Sequence, residues 1–415
     1  MGGRNNDIST VPTDNDIVQL GLGNDFVNVG SATDTADGGG GVDGVSADLS
    51  TATADILWNL QANTYSGPAG TSFANFEYFG TVSTGSGNDV IVTTNVVRSE
   101  VINLGDGDDS ATVVQSQPGG GETVNGGSGS DRLIIDWSLT ALNAANNSGP
   151  TANAVLGGFD GQFTDNNEVQ VAYSSIEHFT ITTGNGSDNL TLASGNDIVS
   201  LGANNDFVNV GAGTDQADGG ADEDGISADL SSATVAILWN LQTNSYSGIA
   251  GSSFTNFEYF GTLTTGSGND VIVTRDVNRV ETINLGAGDD SATVTGRTSG
   301  GSDTVNGGSG SDRLIIDWST VTTQASNGSG PVVNGALGGF DGNFAEQGGF
   351  KSVNYSSIEH FTITTGSGND NIQTASGDDV VSLGSGDDSV NVGAGINTAH
   401  GRSGIDWGSA EGERK

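Results

Sequence analysis

The chain has 415 residues, with 51 acidic against 11 basic side chains, a formal net charge of −40, 68 glycines and no cysteine. That charge has the wrong sign for nucleic acid or an anionic membrane surface, and without bound cations it opposes compaction. Disulfides and thiol chemistry are excluded, no apolar run approaches the roughly 20 residues that span a bilayer, and divalent cations are the favoured partner.

The acids are in register from the start. Asp7, Asp16, Asp25, Asp34 and Asp43 follow one another every nine residues, with small or polar residues before them and apolar ones after. A step of nine fits neither a helix nor variable hairpins; it predicts a short strand and a tight turn, repeated. Residues 47–82 lack the step and contain ILWNL and FANFEYF. The pattern returns at Asp89, runs less evenly through Glu100, Asp109 and Glu122, and closes on Asp131. Residues 135–183 are irregular again, with GGFDG and YSSIEHFTIT.

The series then restarts at Asp188, Asp197, Asp206, Asp215 and Asp224, and continues through Asp270, Glu281, Asp290, Asp303 and Asp312. Trp58 answers to Trp239 and Asp131 to Asp312, 181 residues on, and His178 to His360, 182 on. A third copy opens at Asp370, Asp379 and Asp388 and stops after Asn397, Asp406 and Trp407. The layout predicts a first long repeat over 1–187, with blocks 1–46 and 83–134 and wider coils 47–82 and 135–183. A second follows over 188–369, and 370–415 is a partial third serving as a cap or a truncation. One continuous stack is expected rather than separate domains.

Alternating apolar residues such as Val45, Ala47 and Leu49, and strand-like runs such as FTITT, place the irregular segments in the same stack as wider coils. No amphipathic helix is visible. Loops near Asn143–Ala154 and Ser326–Gly335 are expected to be exposed and mobile.

If two nonapeptides make one coil, residues 18 apart stack on one edge, about 4.8 Å from their neighbours. A ladder of bare carboxylates at that spacing is unfavourable. Calcium reverses the sign, because it takes six to eight oxygens and a glycine-rich turn offers carbonyls beside each aspartate. Magnesium prefers a small octahedral shell, and zinc or copper would want His or Cys. The candidate calcium ligands are Asp7, Asp16, Asp25, Asp34, Asp43, Asp89, Asp109, Asp131, Asp188, Asp197, Asp206, Asp215, Asp224, Asp270, Asp290, Asp312, Asp370, Asp379, Asp388 and Asp406.

The blocks GGGGVDGVS, GGSGSDRLI, TGSGNDVIV and GGADEDGIS resemble the Gly-Gly-x-Gly-x-Asp-x-apolar-x repeat of the RTX (hemolysin-type) calcium-binding proteins. The resemblance implies an all-β fold, a parallel β-roll or β-helix solenoid with several Ca²⁺ held in the turns. It also implies type I secretion, an extracellular location and folding on contact with calcium. This sequence departs from the pattern where Glu100, Glu122 and Glu281 replace Asp, where Asn397 does so, and where the step widens to 11 or 13 residues. Weak or absent sites are expected there. The polar C-terminus WGSAEGERK does not look like the family's secretion signal, and the chain opens in mid-repeat; both suggest a fragment or an unusual export route.

Other readings are less well supported. Strict register is unnecessary for a merely solvated acidic surface. Asp222-Glu223-Asp224-Gly225 lacks the rest of an EF-hand loop, and the Gly-x-Gly runs precede no helix or Gly-Lys-Ser/Thr. His178 and His360, each with a Tyr five residues earlier, are expected to be packing or surface residues, and Trp58, Trp137, Trp239 and Trp318 to close the apolar interior rather than stack on sugars. The expected function is non-enzymatic: a secreted structural, surface or adhesin-like module, with possible cell-surface, glycan or self-assembly partners. The alternatives are the non-catalytic C-terminal repeats of an exported hydrolase, or a carbohydrate- or ice-binding face.

Overall fold

A computed structural model of the chain describes residues 6–11, 14–114, 119–146, 149–166, 169–295, 301–328, 330–348 and 351–409. It divides into two compact units, 1–211 and 212–415. Strands and turns make up both, with no helix among the described residues.

In the first unit Phe26–Asn28 lies parallel between Ile8–Thr10 and Gly44–Asp48, with Phe26 opposite both Ile8 and Gly44. One coil therefore takes 18 residues here. In a second sheet Ile17–Leu22 runs parallel to Thr35–Gly40, Val18 opposite Ala36. The two-residue alternation of a strand turns Leu20, Val27, Val29 and Val45 inward, where they are buried.

Further along, coils lengthen without losing their direction. Val90–Val92 pairs in parallel with Leu57–Asn59 and with Ser110–Val113, which pairs with Arg132–Asp136, and that strand with His178–Thr182. The other face runs Tyr78–Ser83, Val101–Asp106, Glu122–Ser128 and Val169–Ile176, again all parallel. The second unit repeats this order through Leu238–Asn240, Val271–Val273, Ser291–Thr295, Arg313–Asp317, His360–Thr364, Val380–Ser382 and Thr398–His400. Each unit is a parallel β-roll.

The irregular segments are more than wider coils. Leu57–Asn59 folds back antiparallel on Thr64–Ser66, and Phe159–Asp165 lies antiparallel to Val169–Ile176. The same hairpins recur at Leu238–Asn240 with Ser245–Ser247 and Phe340–Glu346 with Ser352–Ile358. Asn63 and Asn244 make the tight turns of the first kind at φ 50, a left-handed conformation that asparagine tolerates better than most residues. These hairpins carry the aromatic core: Trp58 stacks on Phe73 at 4.3 Å and meets Tyr65 and Phe79 edge-on.

The loops expected to be exposed begin as rungs. Thr191 donates its N–H to Asn146 Oδ1 at 2.8 Å, and Asn146 Nδ2 donates back to the Thr191 carbonyl. Asn327 treats Gln373 in the same way. A side-chain amide has the donor and acceptor of a peptide group, so each asparagine, itself buried, extends a two-residue strand by one pair.

Candidate metal centre

The stacked coils turn each aspartate into a link of a ladder. The N–H of Asp7 donates to Asp25 Oδ1 at 2.6 Å, and the N–H of Asp25 to Asp43 Oδ1 at 2.7 Å. Asp16 donates likewise to Asp34, Asp188 to Asp206 and Asp370 to Asp388. Where coils are longer the bond persists: Asp89 to Asp109 across 20 residues at 2.6 Å and Asp109 to Asp131 across 22 at 3.0 Å. Asp270, Asp290 and Asp312 repeat that run. Asp197 and Asp379 accept from the N–H of Phe179 and Phe361. The link ends weakly at Asp388 to Asp406, 3.4 Å, with Asp406 exposed. Asp7 and Asp16 are half-buried; the remaining candidates, including Asp215 and Asp224, are buried.

The residue before each aspartate forms a second ladder running the other way. Asn24 donates its N–H to Asn6 Oδ1 and Val42 to Asn24 Oδ1; Asp108 donates to Asn88 Oδ1 and Ser130 to Asp108 Oδ1. This outer ladder explains the recurrent Asn-Asp and Asp-Asp pairs, which drew no attention in the sequence. His178 and His360 belong to it: their Nδ1 accepts the N–H of Asn196 and of Asp378. With Nδ1 accepting, the neutral ring carries its proton on Nε2, which faces Ser130 Oγ at 3.1 Å and Ser311 Oγ at 3.0 Å. A general base for serine needs the opposite arrangement, Nε2 free to take a proton and Nδ1 donating to a carboxylate.

In eight of these aspartates one carboxylate oxygen is left without a donor. Oδ2 of Asp25, Asp34, Asp43, Asp109, Asp131, Asp290, Asp312 and Asp388 is buried and meets no donor. At Asp89, Asp188, Asp270, Asp370 and Asp379 a threonine hydroxyl lies beside the carboxylate. Three of these, on Thr84, Thr183 and Thr265, donate to the carbonyls of Leu104, Leu201 and Leu285. An uncompensated carboxylate oxygen in the interior is costly. Burial, with neighbouring carboxylates adding to it, pushes Asp109, Asp131 and Asp290 up to about 7 and Asp312 to about 6.

The glycines complete the setting. Gly39 and Gly41 sit at φ 96 and 147, and a Cβ on either would strike the carbonyl of Gly21 or Gly23 in the coil below. Gly127 and Gly129 stand in the same way over Gly105 and Gly107. Beside Gly126 and Gly307 stand both a main-chain carbonyl, of Ser175 and Ser357, and the donor-less Oδ2 of Asp131 and Asp312. No three His, Cys, Asp or Glu side chains converge on a metal position among the described residues. The donor set that fits is carboxylate oxygen plus main-chain carbonyls, the hard oxygen shell that suits calcium.

Residues expected to be weak sites stay inside the ladder. Phe79 donates its N–H to Glu100 Oε1 at 2.7 Å, Phe260 to Glu281 Oε1 at 3.0 Å and Asp379 to Asn397 Oδ1 at 2.9 Å. Burial raises Glu100 to about 8 and Glu122 to about 7. Four further glutamates went unassigned in the sequence. Oε2 of Glu77, Glu177, Glu258 and Glu359 accepts the N–H of Asp43, Asp131, Asp224 and Asp312 and ends each run. Trp58, Trp137, Trp239 and Trp318 are buried, which removes them as a sugar-stacking row.

A family model described as RTX calcium-binding nonapeptide repeat (4 copies) matches residues 13–45, 182–217, 193–226, 297–315 and 364–399. No curated protein matches the chain. Asp89, Asp109 and Asp131 lie outside the matched residues, yet they carry the same ladder, and Asp109 and Asp131 the same uncommitted oxygens. By its nonapeptides and by the parallel roll they build, the chain carries RTX calcium-binding repeats.

Proposed function

We propose that this calcium-binding repeat protein is an exported structural module of surface, matrix or adhesin type, that it folds on meeting extracellular calcium, and that it performs no catalysis. The observation that carries the reading is the row of buried Oδ2 atoms without donors, with a main-chain carbonyl across a glycine from that of Asp131 and of Asp312. Bound calcium supplies the missing positive charge there. Asp25 and Asp43, Asp109 and Asp131, and Asp290 and Asp312 would hold it, with turn carbonyls filling the shell. Repeats of this type are typical of exported proteins, and carbonyl-rich sites of extracellular modules fill at about 10⁻⁴–10⁻³ M calcium. Cytosolic calcium is far below that range, so the same chain would stay open before export and close after it.

The test is a crystal structure grown in millimolar calcium, compared with the metal-binding curve in solution. Ions between successive aspartate turns, filled at sub-millimolar to millimolar calcium, support the proposal. Aspartate turns holding only water under those conditions contradict it.

A further inference from the structure

The two units close an equivalent ladder end differently. Glu77 Oε2 accepts the N–H of Asp43 at 2.7 Å, and Glu258 Oε2 that of Asp224 at 2.9 Å. In the second unit the other glutamate oxygen, Glu258 Oε1, takes Arg275 Nη1 at 2.7 Å. Beside it Arg279 pairs through Nε with Glu223 Oε1 at 2.7 Å and lies over the Tyr259 ring.

Neither pair can form in the first unit, which has Thr94 and Val42 where the second has Arg275 and Glu223. Thr94 Oγ1 donates to the main-chain carbonyl of Glu77 instead. Arg98 keeps the stack, 5.6 Å over Tyr78, and donates through Nη1 to the Val97 carbonyl. Asp43 and Asp224 are equally buried at the two ends, so what differs is the partner of the glutamate; Asp43 Oδ2 meets no donor. One end thus holds a guanidinium paired to its glutamate; at the other, among the described residues, no basic side chain pairs with either of the same two acids.

We propose that Arg275 is a built-in cation standing in for calcium at the Asp224–Glu258 end, whereas the Asp43–Glu77 end of the first unit takes a calcium ion. This rests on the calcium-ladder reading above. A guanidinium stays charged at any ordinary pH and calcium level, so the second unit keeps this end closed before metal arrives. The arrangement is not isolated in the chain. Arg132 Nη2 donates to the Asn196 carbonyl at 2.9 Å and Arg313 Nη2 to the Asp378 carbonyl at 3.1 Å, each at an aspartate turn next to a wide coil. With only 11 basic residues available, this chain sets arginines where its regular ladders are interrupted.

A half-exposed ion pair contributes little stability by itself, so the measurement is an ion count. Calcium bound per full-length chain is determined by native mass spectrometry and by equilibrium dialysis at saturating calcium. Thr94→Arg is expected to lower the count by one and Arg275→Thr to raise it by one, while Arg275→Lys leaves it unchanged. Counts that stay the same in both Thr94→Arg and Arg275→Thr overturn the proposal and leave Arg275 a surface ion pair. A wild-type chain that binds no calcium overturns the ladder reading as well, so the two failures are told apart.

Discussion

The block around Asp7, Asp25 and Asp43 and the block around Asp89, Asp109 and Asp131 solve one problem with different lengths of chain. In the first, each link spans 18 residues; in the second, links span 20 and 22. The bond itself barely changes, 2.6 and 2.7 Å against 2.6 and 3.0 Å. What the longer coils alter is the opposite edge, where Glu100 and Glu122 take the aspartate position. The repeat is therefore held at the aspartate turn, and loop length is free to vary elsewhere. A glutamate reaches further into the interior than an aspartate, and burial leaves Glu100 protonated at neutral pH, raised to about 8.

Substitutions can break that contrast. The largest effect is expected from Asp109→Ala, which strands the buried N–H of Asp89 and removes a carboxylate at once. Losing the partner of a buried donor costs about 1–3 kcal/mol, and loss of bound calcium adds to it in chemical denaturation at saturating calcium. Asp109→Asn separates the two parts, since an amide oxygen still accepts the Asp89 N–H, as Asn397 does for Asp379. It should keep most of the calcium-saturated fold while moving the calcium midpoint upward. An unchanged midpoint would mean that Asp109 serves the ladder alone.

Acid should act on the metal-free chain in the opposite sense to ordinary acid denaturation. The folded-state values of Asp109, Asp131, Asp290 and Glu122 are raised to about 7, chiefly by burial. A raised carboxylate stabilises the fold below its unfolded value and loses that contribution as pH climbs through the folded one. In chelator, β-structure should therefore grow on going from pH 8 to pH 5, followed by circular dichroism. With calcium present, protons compete for the same oxygens and the calcium midpoint should rise on acidification. The smallest effect on metal binding is expected from Glu100→Gln: a carboxyl raised to about 8 is replaced by another neutral group that still accepts the Phe79 N–H, and the calcium bound at pH 7 should not change. A large loss of bound calcium in this variant would place metal on the glutamate edge too.

Much of this was legible in the amino-acid order. A nine-residue step with apolar residues just after each Asp leads directly to 18-residue coils, and Phe26 opposite Ile8 and Gly44 bears that out. The hairpins at Asn63 and Asn244 were not legible, because a left-handed asparagine in a run such as LQANTYS has no periodic signature. Glu77 and Glu177 were missed for another reason. They reach their aspartates across 34 and 46 residues, outside any regular spacing, and only the return of the wide coil brings them back. The outer ladder was visible as Asn-Asp and Asp-Asp pairs, but its purpose lies in main-chain bonds that side-chain chemistry alone does not suggest.

Far-ultraviolet circular dichroism of the intact chain at neutral pH, first in chelator and then through a calcium titration, bears on the whole account. A chain that is largely unstructured without metal and gains β-signal cooperatively near millimolar calcium is the predicted result. Full β-signal in chelator, unmoved by added calcium, would contradict it.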